Sequence, residues 1–204
     1  MAEPNNKENH PYQYWYDTLP CAYGGAVSSG KIKSQPEDFC VEEKLSFELD
    51  EKGEHVYLLI EKRELNTDEV ARQIARFAKV KSVDVGYAGL KDRNALTKQW
   101  FSVRQPVNHE LDWSGIESDR ITVIEVRRNS RKLRRGAIVG NMFHLVIRDI
   151  GGAPDLIVDR LSQINTFGYP NYFGEQRFGR QGNNILQVQQ LFAGEIKIHQ
   201  RHLR

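Results

Sequence analysis

Residues 86–103, GYAGLKDRNALTKQWFSV, place one aspartate, Asp92, at a glycine-bearing turn between two short apolar runs. Lys91 and Arg93 flank it, and an aromatic pair, Trp100 and Phe101, follows. The runs 83–88 and 99–104 read as strands, so the segment is a strand–turn–strand unit with a carboxylate at the bend. An aspartate in such a turn ordinarily serves as a hydrogen-bonding turn residue. A carboxylate held among cations on a turn also stays charged and exposed, which suits a nucleophile aimed at a polyanion. Two further segments of unusual composition, 127–143 and 171–184, bear on that choice.

Around this unit the chain alternates short strands with a few helices. Residues 30–49 show period-two alternation, with Ile32, then Phe39 and Val41, then Leu45, Phe47 and Leu49, broken at Pro36. HVYLLIEK, 55–62, reads as a buried strand bounded by Gly53 and Asn66. A helix follows. Asn66 and Glu69 have capping-box spacing, with Thr67 as an alternative cap, and Val70, Ile74, Phe77 and Ala78 form one apolar face. Residues 121–126 and 142–147 read as strands, and 155–164 and 185–192 as helices. This order predicts an α+β fold: a mixed, largely antiparallel sheet with helices packed on one face.

At 204 residues the chain is one domain, or a domain with attachments, long enough to bury a real core. A hydrophobic content of 39% against 27% charged residues sets it among globular rather than disordered chains. No apolar run approaches a membrane span. Residues 1–20, with Pro4, Pro11 and Pro20, read as a flexible arm, leaving 21–204 as the folded domain. Residues 1–17 lack the basic-then-apolar order of a secretory signal, which implies a cytoplasmic protein. In that reducing compartment Cys21 and Cys40 are expected as free thiols, and two cysteines alone cannot build a zinc site.

A net charge of +2 excludes little, but its distribution is uneven. Arg127, Arg128, Arg131, Lys132, Arg134 and Arg135 crowd one segment while acids gather at 37–54, so a local positive field coexists with near-neutral totals. Nucleic acid is the natural partner of such a patch, a solvated loop its ordinary alternative.

Two motif matches carry no chemistry. GAVSSGK, 25–31, has part of a phosphate-loop pattern, but Ile32 stands where Ser or Thr would hold magnesium and Pro36 opposes a following helix. His199 and His202 share a ligand-like spacing that no cysteine or carboxylate cluster joins.

Three segments remain. In KIKSQPEDF, 31–39, Lys33 and Phe39 sit on one strand–break–strand element and could reach one pocket. Phe39 could stack on a base, or equally fill a core, and Lys33 could pair with a carboxylate or phosphate. In 127–143 a cationic loop leads to Gly140-Asn141, whose ordinary reading is a hairpin turn, and then to Phe143. Asn141 carries a donor and an acceptor matched to a uracil edge, and Phe143 a stacking face. Residues 171–184, NYFGEQRFGRQGNN, hold hardly an aliphatic side chain and read as a functional surface loop.

Taken in order, KxxPEDF, AGLKDRNALTKQWFSV, KLRRGAIVGNMF and NYFGEQRFG…GNN closely resemble the motifs of the TruD-type tRNA pseudouridine synthases. The resemblance covers about 30–192. It implies isomerisation of a uridine in tRNA to pseudouridine, at position 13, without metal or organic cofactor, and no obligatory protein partner. It makes Asp92 the catalytic aspartate, Lys33 the basic residue beside it, and Phe39, Asn141 and Phe143 the residues that hold or stack the target base. Members of this family continue past the point where this chain stops, through an inserted domain and a returning segment that adds strands and an aromatic wall. The chain then corresponds to an N-terminal portion of the catalytic domain. A non-catalytic RNA-binding form is the alternative.

Overall fold

The computed structural model describes residues 19–108, 110–174, 177 and 183–195. The chain divides into two units, one being Ser29–Gly151 and the other comprising the described residues up to Ser28 and from Gly152.

The first unit is built on a six-stranded sheet. Its strands are β2 (Phe39–Leu45), β3 (His55–Arg63), β4 (Gly86–Tyr87), β5 (Leu96–Arg104), β6 (Ile121–Asn129) and β7 (Ile138–Leu145). The order is β6-β3-β5-β2-β7, with β4 pairing beside β5. Only β2 and β5 run parallel; the other pairs are antiparallel, so the sheet is mixed and largely antiparallel. A separate two-stranded ribbon pairs β1 (Ser29–Lys31) with β8 (Arg148–Gly151). Lys31, the last residue of the GAVSSGK match, therefore ends a strand, so no phosphate-loop helix opens there.

Helix α1 (Thr67–Phe77) covers one face of this sheet. Its start obeys the local rule: the Asn66 N–H donates to Glu69 Oε2 at 2.7 Å while the Asn66 side chain receives the Glu69 N–H, a reciprocal capping box. Val70, Ala71, Ile74 and Ala75 bury against Val56, Leu58 and Ile60 of β3 and Phe101 and Val103 of β5. Each large aliphatic side chain so buried contributes about 1.5–3 kcal/mol. Tyr57, Trp100 and Leu133 form a smaller cluster of their own. Gly86 is required by close approach, because a Cβ there would lie 2.4 Å from the Leu133 carbonyl oxygen.

The expected elements are present, with corrected edges. Residues 82–84 form a single 3₁₀ turn rather than strand, so only Gly86–Tyr87 pairs in that run. β5 and β6 extend beyond the apolar runs that announced them, since main-chain pairing continues through polar and charged residues, whereas β7 starts four residues before the expected 142–147 and stops at Leu145, leaving Val146 and Ile147 outside it. Gly140 and Asn141 are not a hairpin turn. They lie inside β7, opposite Lys44 and Glu43, because a seven-residue partner strand outweighs a local turn preference.

The second unit holds α2 (Pro154–Phe167) and α3 (Asn183–Phe192). α2 begins with Pro154 and stops at Gly168, whose φ of +73° no β-carbon would tolerate cheaply. The Tyr23 hydroxyl donates to the Gly168 carbonyl, and Arg160 donates to the Gly25 carbonyl at 3.1 Å. Residues 1–18, most of the expected arm, lie outside the described residues, as do His10, His109, His199 and His202. Among the described residues no helix is long and apolar enough to cross a membrane.

Candidate active site

The pleat explains which side chains can meet. In a sheet every second residue shares a face. Register places Val41 beside Thr97 and Phe143, Phe39 beside Leu145, Glu43 beside Asn141, and Lys62 beside Thr97. Phe39, Val41 and Glu43 of β2, Asn141 and Phe143 of β7, Thr97 and Gln99 of β5, and Lys62 of β3 therefore share one face, the face that α1 covers beside Phe101 and Val103.

On that face a chain of contacts joins four of the five residues singled out from sequence. Asp92 Oδ2 receives a hydrogen bond from Lys33 Nζ at 2.6 Å, both side chains about one-third exposed (35% and 31%). The same ammonium lies 3.9 Å from the centroid of the Phe39 ring, a cation–π contact. The Phe39 and Phe143 rings meet edge-to-face at 5.8 Å between centroids. Phe143 keeps 55% of its surface exposed. Asn141 is exposed two residues along β7 from Phe143. Lys33 itself has φ of +57°, a left-handed backbone that costs a non-glycine residue about 1–2 kcal/mol.

Asp38 shapes the turn that carries Lys33 and Phe39. Its carboxylate is buried and accepts two parallel bonds from Arg148, Nε at 2.8 Å and Nη2 at 2.7 Å, and a third from the Gln35 N–H at 3.2 Å. The bonds from Arg148, partly opposed by burial, hold the Asp38 carboxyl below the usual carboxylate range.

The cations next to Asp92 in sequence do not face it. Lys91 turns inward, its ammonium 2.5 Å from Glu43 Oε2, with side-chain exposures of only 6% and 0%. Arg93 reaches back to the Glu64 carbonyl. The expectation of a carboxylate flanked by Lys91 and Arg93 is not met; the cation beside it is Lys33, the basic residue that the motif resemblance placed there, brought from another turn.

Beneath the Asp92 loop lies a polar network that periodicity alone did not announce. The Lys91 N–H donates to Thr67 Oγ1 at 3.0 Å, that hydroxyl donates to Gln99 Oε1 at 3.0 Å, and Gln99 Nε2 donates to the Gly89 carbonyl at 2.7 Å. Lys62 Nζ donates to the Leu65 carbonyl at 2.7 Å and to the Asp92 carbonyl at 3.1 Å. One signal was available in each strand. Lys62 follows Val56, Leu58 and Ile60 on the buried parity of β3, and Glu43 follows Val41 on that of β2. A charge on a buried parity must find a partner.

The basic segment is less free than its composition suggests. Arg127 to Asn129 belong to β6 rather than to a loop. Arg127 pairs with Glu51, Arg128 donates to the Gly53 and Gln105 carbonyls, Lys132 donates to the Val83 carbonyl, and Arg135 stacks on Tyr87. Arg131 and Arg134 are exposed, with no ion-pair partner among the described residues. Of the loop 171–184, residues 175–176 and 178–182 lie outside the described residues; Arg177 sits over the Phe173 ring at 5.3 Å. Cys21 and Cys40 are free thiols. Among the described residues no group of three or more His, Cys, Asp or Glu could hold a metal ion.

Comparison with known proteins bears on the family of the chain. The family model for tRNA pseudouridine synthase D (TruD) matches residues 22–198. The tRNA pseudouridine synthase D of Methylococcus capsulatus is 48% identical over 184 residues, covering 90% of this chain and 52% of its own length. That of Nitrosococcus oceani is 50% identical over 186 residues, again 90% of this chain and 52% of its own. A crystal structure assigned to the tRNA pseudouridine synthase D of Methanosarcina mazei superposes with a TM-score of 0.64 at 28% identity, covering 81% of this chain and 39% of that one. The chain spans about half the length of the curated relatives it matches. With its mixed sheet, its ordered motifs and these relatives together, the chain belongs to the TruD family of tRNA pseudouridine synthases.

Proposed function

We propose that this chain carries the catalytic centre of a tRNA pseudouridine synthase and isomerises uridine 13 of tRNA to pseudouridine, with Asp92 as the essential carboxylate. The observation that supports it most is the Asp92–Lys33 pair at 2.6 Å, a partly exposed carboxylate whose partner ammonium also sits on the Phe39 ring, itself edge-to-face with Phe143.

The reaction breaks the bond from ribose C1′ to uracil N1, turns the base, and rejoins it through C5. N1 gains a proton and C5 loses one, so atoms balance with no net oxidation and no redox cofactor is called for. The target must first leave its stack, which costs about a few kcal/mol. Phe143 offers the more open ring and Phe39, with one face on Lys33, supports it. Stacking on an aromatic ring returns about 1–3 kcal/mol per base. Asn141, two residues away on the same face, can pair with the uracil edge. The carboxylate of Asp92 can add to C1′ or take the 2′ proton through an oxygen, while Lys33 holds and orients the side chain. Phosphate contacts then fall first to Arg131 and Arg134, with Arg127, Arg128, Lys132 and Arg135 already engaged within the protein. The reading places the protein where tRNA is found, in the cytoplasm.

Incubating the chain with tRNA tritiated at uridine C5 should release tritium. Phe143→Ala should lower kcat/KM for that release by about 5- to 150-fold, the equivalent of 1–3 kcal/mol of lost stacking. Because Phe143 is largely exposed, the urea midpoint should barely move. An unchanged kcat/KM would remove Phe143 from the base site. A second reading, a non-catalytic RNA-binding form, draws support from Arg131 and Arg134, exposed and with no ion-pair partner among the described residues. It predicts tRNA binding that weakens with salt and no tritium release.

A further inference from the structure

Lys62 has no role in the chemistry above, yet it is fully buried at the end of β3, directly under the Asp92 loop. A lysine ammonium has three donors and no acceptor. Two of the three are spent on carbonyl oxygens from different loops: Leu65 between β3 and α1, and Asp92 itself between β4 and β5. The Asp92 loop has no strand or helix from residue 88 to 95. Main-chain bonds hold its ends, Gly136 N–H to Ala88 and Glu64 N–H to Ala95, and the Thr67–Gln99 relay and the Lys91–Glu43 pair hold its first half. At residue 92 itself the side chain is held by Lys33 and the carbonyl by Lys62. A buried cation is an expensive way to satisfy two carbonyls, since a neutral donor would serve them without desolvating a charge. What the charge adds is strength, because charge-assisted bonds are roughly twice as strong as neutral ones.

We propose that Lys62 is the positioning residue of this site: its ammonium ties the main chain at Asp92 to the β3–α1 connection and so sets where the Asp92 carboxylate meets the ribose. The inference rests on the function proposed above for its catalytic consequence, but the clamp itself is a property of the fold. Lys62 acts through the main chain of residue 92, not on substrate. It is distinct from Lys33, which contacts the carboxylate.

The charges facing Lys62 are Asp92 and Lys91 from the loop and Glu69 from α1. Burial pushes its pKa down to about 8, with Asp92 opposing and Lys91 reinforcing the fall. Two pH dependences of opposite sign follow. Above about pH 8 the folded chain has released this proton while the unfolded chain, with lysine's ordinary value of 10.5, still holds it. The unfolded state then binds more protons, so this residue's contribution to stability rises with pH between about 8 and 10.5. The clamp weakens over the start of that window, because the neutral amine keeps only two donors and loses the charge.

Amide hydrogen exchange of the 204-residue chain, corrected for intrinsic rates, tests this. In Lys62→Met, residues 88–95 should exchange at least about tenfold faster, while β3 and β5 keep their protection. In the unaltered chain the same segment should loosen relative to β3 and β5 between pH 7 and 9, a comparison that needs no variant and decides the matter if Lys62→Met fails to fold. Tritium release by Lys62→Met should fall about 100-fold in kcat, with the tRNA Kd within about threefold, as expected for a catalytic group displaced by about 1 Å. Loop exchange indifferent both to pH and to the substitution overturns the proposal, as does loosening spread evenly over the whole sheet. If the unaltered chain releases no tritium at all, the proposed function fails for this chain while the exchange result still decides the clamp.

Discussion

Asp92→Asn is expected to reduce tritium release from C5-labelled tRNA by at least about 10⁴-fold, the scale seen when an enzyme loses its nucleophile. The substitution keeps the volume and one hydrogen-bond acceptor of the side chain and removes only its charge and second carboxylate oxygen. An amide can neither add to C1′ nor take a proton from C2′. Folding should hardly notice. The Asp92–Lys33 pair is about one-third exposed on both sides, and pairs of that kind contribute about 0–1 kcal/mol once solvent screening is counted. The tRNA Kd should stay within a few-fold, because phosphate contacts dominate affinity for a polyanion. The informative result is the combination of lost turnover, retained binding and an unmoved urea midpoint. Residual turnover within tenfold of the parent would show that some other group does the chemistry, and the reading of this site would have to be abandoned.

The second large effect concerns stability. Glu43 and Lys91 form an ion pair at 2.5 Å with side-chain exposures of 0% and 6%, and Glu43 Oε1 also accepts the Trp100 N–H at 3.3 Å. Removing either partner strands the other charge in the interior, which costs about 3–5 kcal/mol. Against a total stability of about 5–15 kcal/mol, Lys91→Met or Glu43→Met alone should shift the urea midpoint severely. The double variant, Glu43→Met with Lys91→Met, leaves no orphaned charge and should recover most of that loss, even though it removes the same pair. The double-mutant cycle is the decisive measurement. Two small single effects, or a double variant as unstable as their sum, would mean that the pair is solvated and holds nothing. Activity should not recover with stability in the double variant, because Lys91 precedes Asp92 and its side chain anchors the loop.

These expectations show where sequence reading reaches and where it stops. The apolar parity of 55–62 and the Asn66–Glu69 capping box announced β3 and α1, since strand and helix register depend on neighbours two to four residues apart. Asp92, Lys33, Phe39, Asn141 and Phe143 were singled out by residue type and resemblance, and the fold brings four of them, Asp92, Lys33, Phe39 and Phe143, into one run of contacts. Other elements misled. Gly140-Asn141 has turn chemistry but pairs with Lys44 and Glu43, and the supposed basic loop begins as strand β6 with most of its cations engaged internally.

What the amino-acid order determined alone was most of the elements, though not β8, together with the α+β class and the family, because each is written in short-range patterns of apolar spacing, capping and motif. Only the tertiary structure decided which charges matter. Lys91 and Arg93 adjoin Asp92 in the chain yet turn away from it; Lys33, 59 positions earlier and named beforehand only by the motif resemblance, holds its carboxylate, and Lys62, 30 positions earlier and named by nothing in the sequence, holds its main chain. A charge has no intrinsic periodicity. Its burial and its partner are fixed by strands that pair across long stretches of sequence, and no local pattern records that pairing.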